Sequence, residues 1–219
     1  MSSRKLLITG STGKQGGAVI DALVDNSWPG QIVALTRDAN SAKAKALASK
    51  PNVKVVEGNT TNAAAIFEAN KPIDGVFLVT TPGKAGAEEA QAEPMINEAI
   101  KHGVKHFVFS SVDRGGDEKS DENPTMIEHF ASKHRIEAQL REKSAGTKME
   151  WTILRPVAFM DNMAPGFQGK AFASMWSGLG NKPLQLIATR DIGLFAARAF
   201  ANPAAYKGTS ISKFLPASC

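Results

Sequence analysis

The segment HFASK at residues 129–133 places a histidine and a lysine four positions apart. Side chains at this spacing lie on one face of a helix, so His129 and Lys133 can reach a single site. An imidazolium ion can protonate a developing alkoxide, and an ammonium ion can bind the hydroxyl groups of a ligand. Two adjacent cations oppose each other's charge unless a phosphate or a carboxylate lies between them. His129 is therefore a candidate proton donor or, alternatively, a polar residue that lines a ligand site.

Two serines and the single tyrosine of the chain complete the set of candidate acid groups. Ser110 and Ser111 end a predicted strand, where a hydroxyl group can orient a substrate oxygen or complete the hydrogen bonds of the strand end. Tyr206, the only tyrosine, lies far downstream of Lys133. Reduction of a carbonyl group needs both a hydride donor and an acid. We take Lys133, His129 and Ser111 as the catalytic candidates.

A glycine-rich segment, TGSTGKQGG at residues 9–17, lies between the first predicted strand and the first predicted helix. Gly10 permits a tight turn, Gly13 lets the backbone approach a diphosphate, and Gly16 allows the helix to pack closely on the sheet. The free amide groups and the positive dipole end of the helix then face the phosphates. This arrangement predicts a dinucleotide-binding site.

The residue after the second predicted strand indicates which dinucleotide is bound. An acidic side chain about 20 residues beyond the glycine loop would bind the 2′-hydroxyl group of NAD. The segment ALTRD places Arg37 at that distance, and a guanidinium group can pair with the 2′-phosphate of NADP. Asp38 follows directly and could bind NAD. The sequence thus favours NADP(H) over NAD(H) as the cofactor.

The elements that must position these residues alternate between short apolar runs and longer helical segments. Runs with little polar alternation are typical of strands buried on both faces of a parallel sheet. Strands are predicted at 5–10, 31–36, 53–58, 75–80, 106–111 and 151–156, and helices at 14–26, 40–49, 62–70, 86–102 and 126–145. Repeated β-then-α units predict a doubly wound α/β fold with strand order 3-2-1-4-5-6. A ligand would bind beyond the carboxyl ends of the strands, between the first and the fourth.

The alternating pattern changes after Pro156. Residues 157–183 are rich in glycine, methionine and aromatic residues, which fits a lid over the edge of the sheet. We therefore predict a dinucleotide-binding domain at 1–156 and a small C-terminal lid region at 157–219.

Particular residues predict where helices and loops begin and end. Ser41 lies where the second helix would start, and Gly103 lies where the fourth would end. A further helix is predicted at 190–203, with Asp191 as its N-cap. The charged segment 113–123, which contains two glycines, is predicted to be a solvated loop beside the cleft.

Composition excludes several classes of protein. With 219 residues, of which 42% are hydrophobic and 21% charged, the chain is predicted to be globular. No apolar run approaches the roughly 18 residues of a membrane helix, and the first strand begins so early that we expect no signal peptide. The single Cys219 provides neither a disulfide framework nor a thiolate metal site, and no carboxylate completes a zinc site with His102 and His106. We expect a cytoplasmic or nuclear protein without a bound metal.

The net charge of +5 and the pI of about 9.3 admit anionic partners. The lysines are spread along the chain, and the usual signatures of nucleic-acid binding are absent from the sequence. A phosphate-bearing ligand and a solvated surface explain this charge, so we expect no nucleic-acid partner. Direct DNA binding through the basic surface is the remaining alternative.

Seven segments together resemble the NmrA-like family, a branch of the atypical short-chain dehydrogenase/reductases: ITGSTGKQGG, ALTRD, VVEGN, FVFSSVDRGG, HFASKHRIEAQLRE, WTILRPVAFMDN and DIGLFAARAFANP. They occur in the family's order over nearly the whole chain. The resemblance implies a Rossmann domain that binds NADP and a smaller C-terminal region that closes over it. Members usually continue with further substrate-domain residues, whereas this sequence closes with KFLPASC. A short isoform, a truncation and a reduced lid are all consistent with that ending.

The resemblance also implies roles for individual residues. The cofactor-binding positions carried over from the family, together with Ser110, are Gly10, Thr12, Gly13, Lys14, Gln15, Gly16, Arg37, Asn59, Thr60, Thr80, Thr81, Pro82, Lys133, Pro156, Val157 and Phe159. Among them, Lys133 would hold the nicotinamide ribose. In short-chain reductases a tyrosine four residues before this lysine would donate the proton, and here His129 occupies that position.

A dinucleotide site without the tyrosine leaves two functions open. Many members of the family resemble redox sensors or transcriptional co-regulators, whereas others reduce quinones or related compounds. The first hypothesis is an NADP(H)-binding regulatory protein, with weak or no dehydrogenase chemistry, whose conformation or protein partner responds to the cofactor. The second is an NADPH-dependent oxidoreductase of a quinone or carbonyl substrate.

Overall fold

A seven-stranded parallel sheet forms the centre of the computed structural model, which describes residues 4–178, 180, 182 and 184–212. The strands are β1 (Leu6–Ile8), β2 (Ile32–Thr36), β3 (Val53–Glu57), β4 (Gly75–Val79), β5 (His106–Ser110), β6 (Glu150–Leu154), β7 (Ala158–Phe159), β8 (Leu186–Ile187) and β9 (Thr209–Ile211). The large sheet has the order β3-β2-β1-β4-β5-β6-β9, and β7 pairs with β8 in a separate sheet. The predicted fold class and the order 3-2-1-4-5-6 are confirmed, and β9 adds a seventh strand beyond β6.

Apolar side chains cover both faces of the sheet. Leu7 in β1 packs in one core cluster, whereas Leu6 and Ile8 pack in a second cluster on the opposite face. All three are buried. Leu7 pairs with Val33 of β2 on one side and with Val76 of β4 on the other. Burial on both faces explains why these strands are apolar at successive positions.

Helices pack on both faces of the sheet and complete three layers. They are α1 (Lys14–Asp25), α2 (Ala42–Ala48), α3 (Ala63–Asn70), α4 (Ala87–Lys101), α5 (Asp117–Glu122), α6 (Glu128–Ser144), α7 (Phe167–Ser177), α8 (Thr189–Ala201) and α9 (Pro203–Tyr206). Side chains of α3, α4 and α6 join the cluster around Leu7, and those of α1 and α8 join the cluster around Leu6 and Ile8. Within the described part of the chain, every helix is too short or too polar to cross a membrane.

The last described elements belong to these main layers. β9 pairs with Thr152–Leu154 of β6. α8 packs on α1 at very short range, because a Cβ atom at Gly193 would lie 2.3 Å from the carbonyl oxygen of Ala18. The division of the chain after residue 156 stays a prediction, while residues beyond it supply a strand and a helix of the central sandwich.

The ends of two helices follow the sequence, and the start of a third does not. The Ser41 side chain accepts a hydrogen bond from the Ala44 amide at the start of α2, and Gly103 adopts a φ of 71° after α4. The prediction that Asp191 is an N-cap is wrong, because α8 begins two residues earlier. Asp161 takes that role from a distant turn and accepts bonds from the amide and hydroxyl groups of Thr189 at 2.8 and 2.7 Å.

The prediction of a loop at 113–123 is wrong, although most residues of this segment are exposed as expected. Residues 117–122 form α5, and the Arg114 side chain is completely buried. Its guanidinium group binds both carboxylate oxygens of Glu137, each at 3.0 Å. Arg155, which follows β6 directly, binds the same carboxylate. The partners are distant in sequence, so the local pattern of charge and glycine gave no sign of this buried ion cluster.

The turn from β1 into α1 brings backbone into unusually close contact. Gly10 adopts a φ of 57°, which side-chain-bearing residues rarely adopt. A Cβ atom at Gly16 would lie 2.4 Å from the carbonyl oxygens of both Thr9 and Gly10. At Gly17, one position later, the nearest atom would be the Ser11 carbonyl oxygen at 3.4 Å. Residue 16 must therefore be glycine because a Cβ atom would not fit there, whereas residue 17 has room for one.

We expect Gly16→Ala to destabilise the protein by about 3 kcal/mol, because the clash involves backbone that cannot move aside. Gly17→Ala is the matched control and should be neutral or stabilising, since alanine favours helix by about 1 kcal/mol over glycine. Urea unfolding of the two variants measures the difference. Equal midpoints for both variants would show that the turn does not constrain residue 16.

His106 is a buried histidine at the start of β5. Its Nε2 lies 2.8 Å from Thr152 Oγ1, and the Thr152 hydroxyl donates to the Tyr206 carbonyl oxygen. Nε2 must therefore carry the proton and donate to Thr152. Burial, together with the nearby charge of Arg4, lowers the pKa of His106 to about 4. The neutral ring is thus the folded form at neutral pH.

Stability should fall as pH drops from 6.5 towards 4, because the unfolded chain then binds a proton that folded His106 does not. This group alone should lower the free energy of unfolding by about 2 kcal/mol between pH 7 and pH 5. Denaturant unfolding at the two pH values tests this. His106→Gln should reduce the difference, and His134→Gln, which changes a half-buried histidine, should preserve it.

Candidate active site

An open cleft of about 820 Å³ lies at the carboxyl ends of β1, β2 and β4. This is the position where the strand order reverses and where doubly wound folds bind ligands. The predicted cofactor-binding residues that line it are Gly10, Thr12, Gly13, Lys14, Gln15, Gly16, Arg37, Asn59, Thr60, Thr80, Thr81, Pro82 and Phe159. The lining also includes residues that the sequence analysis did not select: Leu35, Thr36, Gly58, Thr61, Val79, Gly83, Ala87, Ala90 and Gln91.

The glycine loop presents backbone amide groups to the cleft. Gly13 occupies the N-cap position of α1 and has no side chain to satisfy the first amide groups of that helix. The Gly13 amide itself donates to the Gly10 carbonyl oxygen at 2.9 Å and closes the turn. The positive end of the helix dipole therefore faces the cleft at the point where an anion can accept hydrogen bonds.

The far end of the cleft contains a guanidinium group and no acidic lining. Arg37 follows β2, is exposed, and has no hydrogen bond or ion pair with the described residues. Asp38 does not line the cleft, and its Oδ1 accepts a hydrogen bond from the Asn40 amide at 2.8 Å. The Asp38 carboxylate, which could have bound a 2′-hydroxyl group, thus accepts a hydrogen bond within the turn that leads into α2.

Lys14 connects the glycine loop to the residues after β7. Its Nζ donates to the Asp161 carbonyl oxygen and to Asn162 Oδ1, both at 2.9 Å. Phe159, at the end of β7, lines the same cleft. One lysine therefore contributes charge to the cleft and holds the short segment that borders it.

The amine of Lys133 takes part in a cycle of contacts next to the cleft. Nζ donates to Thr80 Oγ1 at 2.7 Å and to the Ser110 carbonyl oxygen at 3.1 Å. Thr80 Oγ1 donates to Glu88 Oε2 at 2.5 Å, and this oxygen lies 3.2 Å from Nζ. Thr80 lines the cleft, so the cycle connects the buried amine of α6 to the cleft wall.

His129 contacts the other oxygen of Glu88. Nδ1 lies 2.5 Å from Glu88 Oε1, and an ionised carboxylate only accepts hydrogen bonds, so Nδ1 carries the proton. A carboxylate between His129 and Lys133 was the condition under which both could be cations. Glu88 meets that condition. Glu88 precedes His129 by 41 positions, so the local sequence gave no sign of this contact.

Opposing effects set the charges of this group. Burial alone would raise the pKa of Glu88, but the hydrogen bond from His129 and the charge of Lys133 outweigh it and lower that pKa to about 2. Burial lowers the pKa of Lys133 below its ordinary value, and the charge of Glu88 opposes part of that shift. Removal of Glu88 would leave the ammonium ion without its adjacent counter-charge.

The two predicted serines have different positions. Ser110 Oγ donates to Gln15 Oε1 at 2.5 Å, so it orients a side chain that lines the cleft. Ser111 is buried, and its hydroxyl donates to Glu137 and accepts a bond from Arg114 at 3.4 Å. The structure therefore places the Ser111 hydroxyl in the buried ion cluster and not in the cleft.

Four predicted cofactor-binding residues lie outside the lining of the cleft. Ser110 and Lys133 are joined to it through Gln15 and Thr80, as described above. Pro156 is buried, and its carbonyl oxygen accepts a bond from the Asp113 amide at 3.0 Å. Val157 packs against the core cluster on the α1 side.

Comparison with known proteins gives consistent results. The family model of the NmrA-like family matches residues 2–214 of this chain. An NmrA-like family domain-containing protein of Dictyostelium discoideum is 28% identical over 221 residues, which cover 95% of this chain and 71% of that protein.

Two solved structures share the fold. The NADPH-dependent quinone oxidoreductase of Escherichia coli, complexed with NADPH, has a TM-score of 0.74 and 24% identity, covering 95% of this chain and 68% of its own. NmrA, a negative transcriptional regulator, has a TM-score of 0.71 and 17% identity, covering 96% of this chain and 66% of its own. This chain thus spans roughly two thirds of each of the three proteins. The match to the family description extends over nearly the whole sequence, and the chain belongs to the NmrA-like family.

Proposed function

We propose that the chain binds NADP(H) in the cleft at the carboxyl ends of β1, β2 and β4. The diphosphate lies against the amide groups at the start of α1, and the 2′-phosphate lies beside Arg37. The observation that carries this proposal is the charge of the cleft. Lys14 and Arg37 contribute two cations, and the described lining contains no carboxylate.

Further support comes from the neighbouring residue and from a relative. Asp38 is engaged by the Asn40 amide, which leaves the guanidinium group of Arg37 as the charged group at the 2′ position. A 2′-phosphate suits such a position, whereas the 2′-hydroxyl group of NAD is usually bound by an acidic side chain. The E. coli oxidoreductase with the same fold is complexed with NADPH.

For the function of the bound cofactor, we infer a redox-sensing or regulatory role. The Lys133 amine is engaged by Thr80, Ser110 and Glu88, and the Ser111 hydroxyl is engaged by Glu137. The only tyrosine of the chain, Tyr206, packs against the core cluster on the α1 side. Because these candidate groups are engaged by other residues, the site favours cofactor binding over proton transfer to a substrate. The fold is also shared with a transcriptional regulator.

One contact favours an NADPH-dependent oxidoreductase of a quinone or carbonyl compound as the second candidate. Glu88 fixes the proton of His129 on Nδ1, and Nε2 has no partner among the described residues. The side chain is 37% exposed. An imidazolium ion held in this way could protonate the oxyanion that forms when hydride moves from NADPH to a carbonyl carbon.

Replacement of Arg37 tests the cofactor proposal. Arg37→Ala should weaken NADPH binding about tenfold to a hundredfold, because a charge-assisted hydrogen bond contributes about 1.5–3 kcal/mol. NADH binding should be nearly unchanged, and wild-type protein should prefer NADPH. Fluorescence titration of the reduced dinucleotides measures both affinities.

Lys43→Ala is the control for this titration, because it removes an exposed cation of α2 that does not line the cleft. It should bind NADPH like the wild type. Equal losses in the two variants would indicate a general effect of surface charge, and tight binding of NADH by the wild type would overturn the choice of NADP(H).

Turnover distinguishes the two functional candidates. The regulatory role predicts that NADPH is bound but not oxidised when a panel of quinones, aldehydes and ketones is added, as followed by absorbance of the reduced nicotinamide. Sustained oxidation that is lost in both Lys133→Ala and His129→Gln would support the reductase instead. Binding of both NADP and NADPH without turnover, and with different affinities, would support sensing.

A further inference from the structure

The cycle formed by Lys133, Thr80 and Glu88 is closed and almost dry. The side chains of Lys133 and Glu88 are only 4% and 3% exposed. The ammonium group donates hydrogen bonds to Thr80 Oγ1 and to the Ser110 carbonyl oxygen, and it forms an ion pair with Glu88 Oε2 at 3.2 Å. Thr80 Oγ1 accepts from the lysine and donates to the glutamate, and Thr80 is also one of the residues that line the cleft.

Glu88 is the charged group that compensates this buried cation at short range. Around the amine, the residue after β4 contributes the Thr80 hydroxyl, and β5 contributes the Ser110 carbonyl oxygen and the ring of Phe109 at 5.1 Å. On α6, Glu137 acts only through its charge and is itself bound to two arginines. A buried ammonium ion without an adjacent carboxylate is strongly destabilised and tends to lose its proton.

His129 completes the arrangement on the solvent side. It binds the Glu88 oxygen that the cycle does not use, so each carboxylate oxygen contacts a basic side chain of α6. Glu88 belongs to α4, and it therefore joins the start of α4 to one face of α6. The orientation of Lys133 and Thr80 relative to the cleft depends on this connection.

We propose that Glu88 is a positioning residue for the cofactor, which holds Lys133 as an ammonium ion and Thr80 in a fixed orientation at the ribose beside the nicotinamide. The inference rests on the proposed binding of NADP(H) and adds a residue to it. Thr80 lines the cleft in which the dinucleotide is proposed to bind, and the lysine bound to Thr80 supplies the positive charge. Glu88 itself acts through these two residues and does not line the cleft.

The experiment compares Glu88→Gln with Glu89→Gln. Glu89 is the next residue of α4 and binds Ser132 and Arg135, so its replacement removes an equal charge without touching Lys133. NADPH affinity is measured by fluorescence from pH 6.5 to 9.5. Glu88→Gln should bind about tenfold or more weakly at pH 7.5, and its affinity should decline at lower pH than that of the wild type. Glu89→Gln should follow the wild-type profile.

Two further variants show whether the effect passes through the lysine. Glu88→Asp keeps the charge and should recover most of the affinity and the wild-type pH profile. Lys133→Met should abolish the pH dependence of NADPH affinity. The double variant Lys133→Met/Glu88→Gln should bind NADPH no more weakly than Lys133→Met alone. Additive losses, or a Glu88→Gln profile parallel to that of the wild type, would overturn the proposal.

A ligand-free measurement separates this inference from the proposed function. In protein labelled with ¹³C-lysine, the NMR signal that disappears in Lys133→Met reports the titration of Lys133. This titration should move to lower pH in Glu88→Gln and stay in place in Glu89→Gln. If the wild type binds no dinucleotide but the shift occurs, NADP(H) binding fails while the charge coupling stands. If NADPH binds and no shift occurs, Glu88 does not maintain the charge of Lys133.

Discussion

Two carbonyl oxygens, those of Thr9 and Gly10, occupy the space that a Cβ atom of residue 16 would need, and the rest of the site depends on this close approach. It sets the first turn of α1 directly against the end of β1. The amide groups of that turn then face the cleft, where the helix dipole favours an anion. Lys14, Gln15 and the residues after β2 and β4 can line one cleft only because the start of α1 is fixed at this point.

Much of the fold could be predicted because its determinants are local. Buried parallel strands produce continuous apolar runs, and the glycines after β1 indicate a tight turn in which backbone segments approach each other closely. β9 is missing from the strand order predicted from the apolar runs, since Thr209–Ile211 is short and half-buried at the edge of the sheet. The start of α8 was misplaced because its first amide is satisfied by Asp161, far away in sequence, and not by a residue at the helix end.

The candidate site likewise has one part that could be predicted from the sequence and one part that could not. Its phosphate-facing loop is continuous in sequence and could be identified from spacing alone. The charged groups around Lys133 could not, because Glu88 lies on another helix and appears in the sequence only as one of two acids at a helix start. The same limit applies to Arg114 and Glu137, whose contact buries one arginine of a segment that is otherwise mostly exposed. Charge pairing across such distances has no periodic signature in the sequence.

The contact of Gly193 with Ala18 has a consequence for how the protein could be divided. Because α8 covers α1 at backbone distance, Val19, Ile20 and Leu23 have α8 side chains among the members of their core cluster. A fragment that stopped before residue 189 would expose part of this surface, at a cost of about 2 kcal/mol for each large side chain left in water. The part of the chain that forms the cleft therefore needs α8 to bury its core, and its minimal folding unit extends through residue 201.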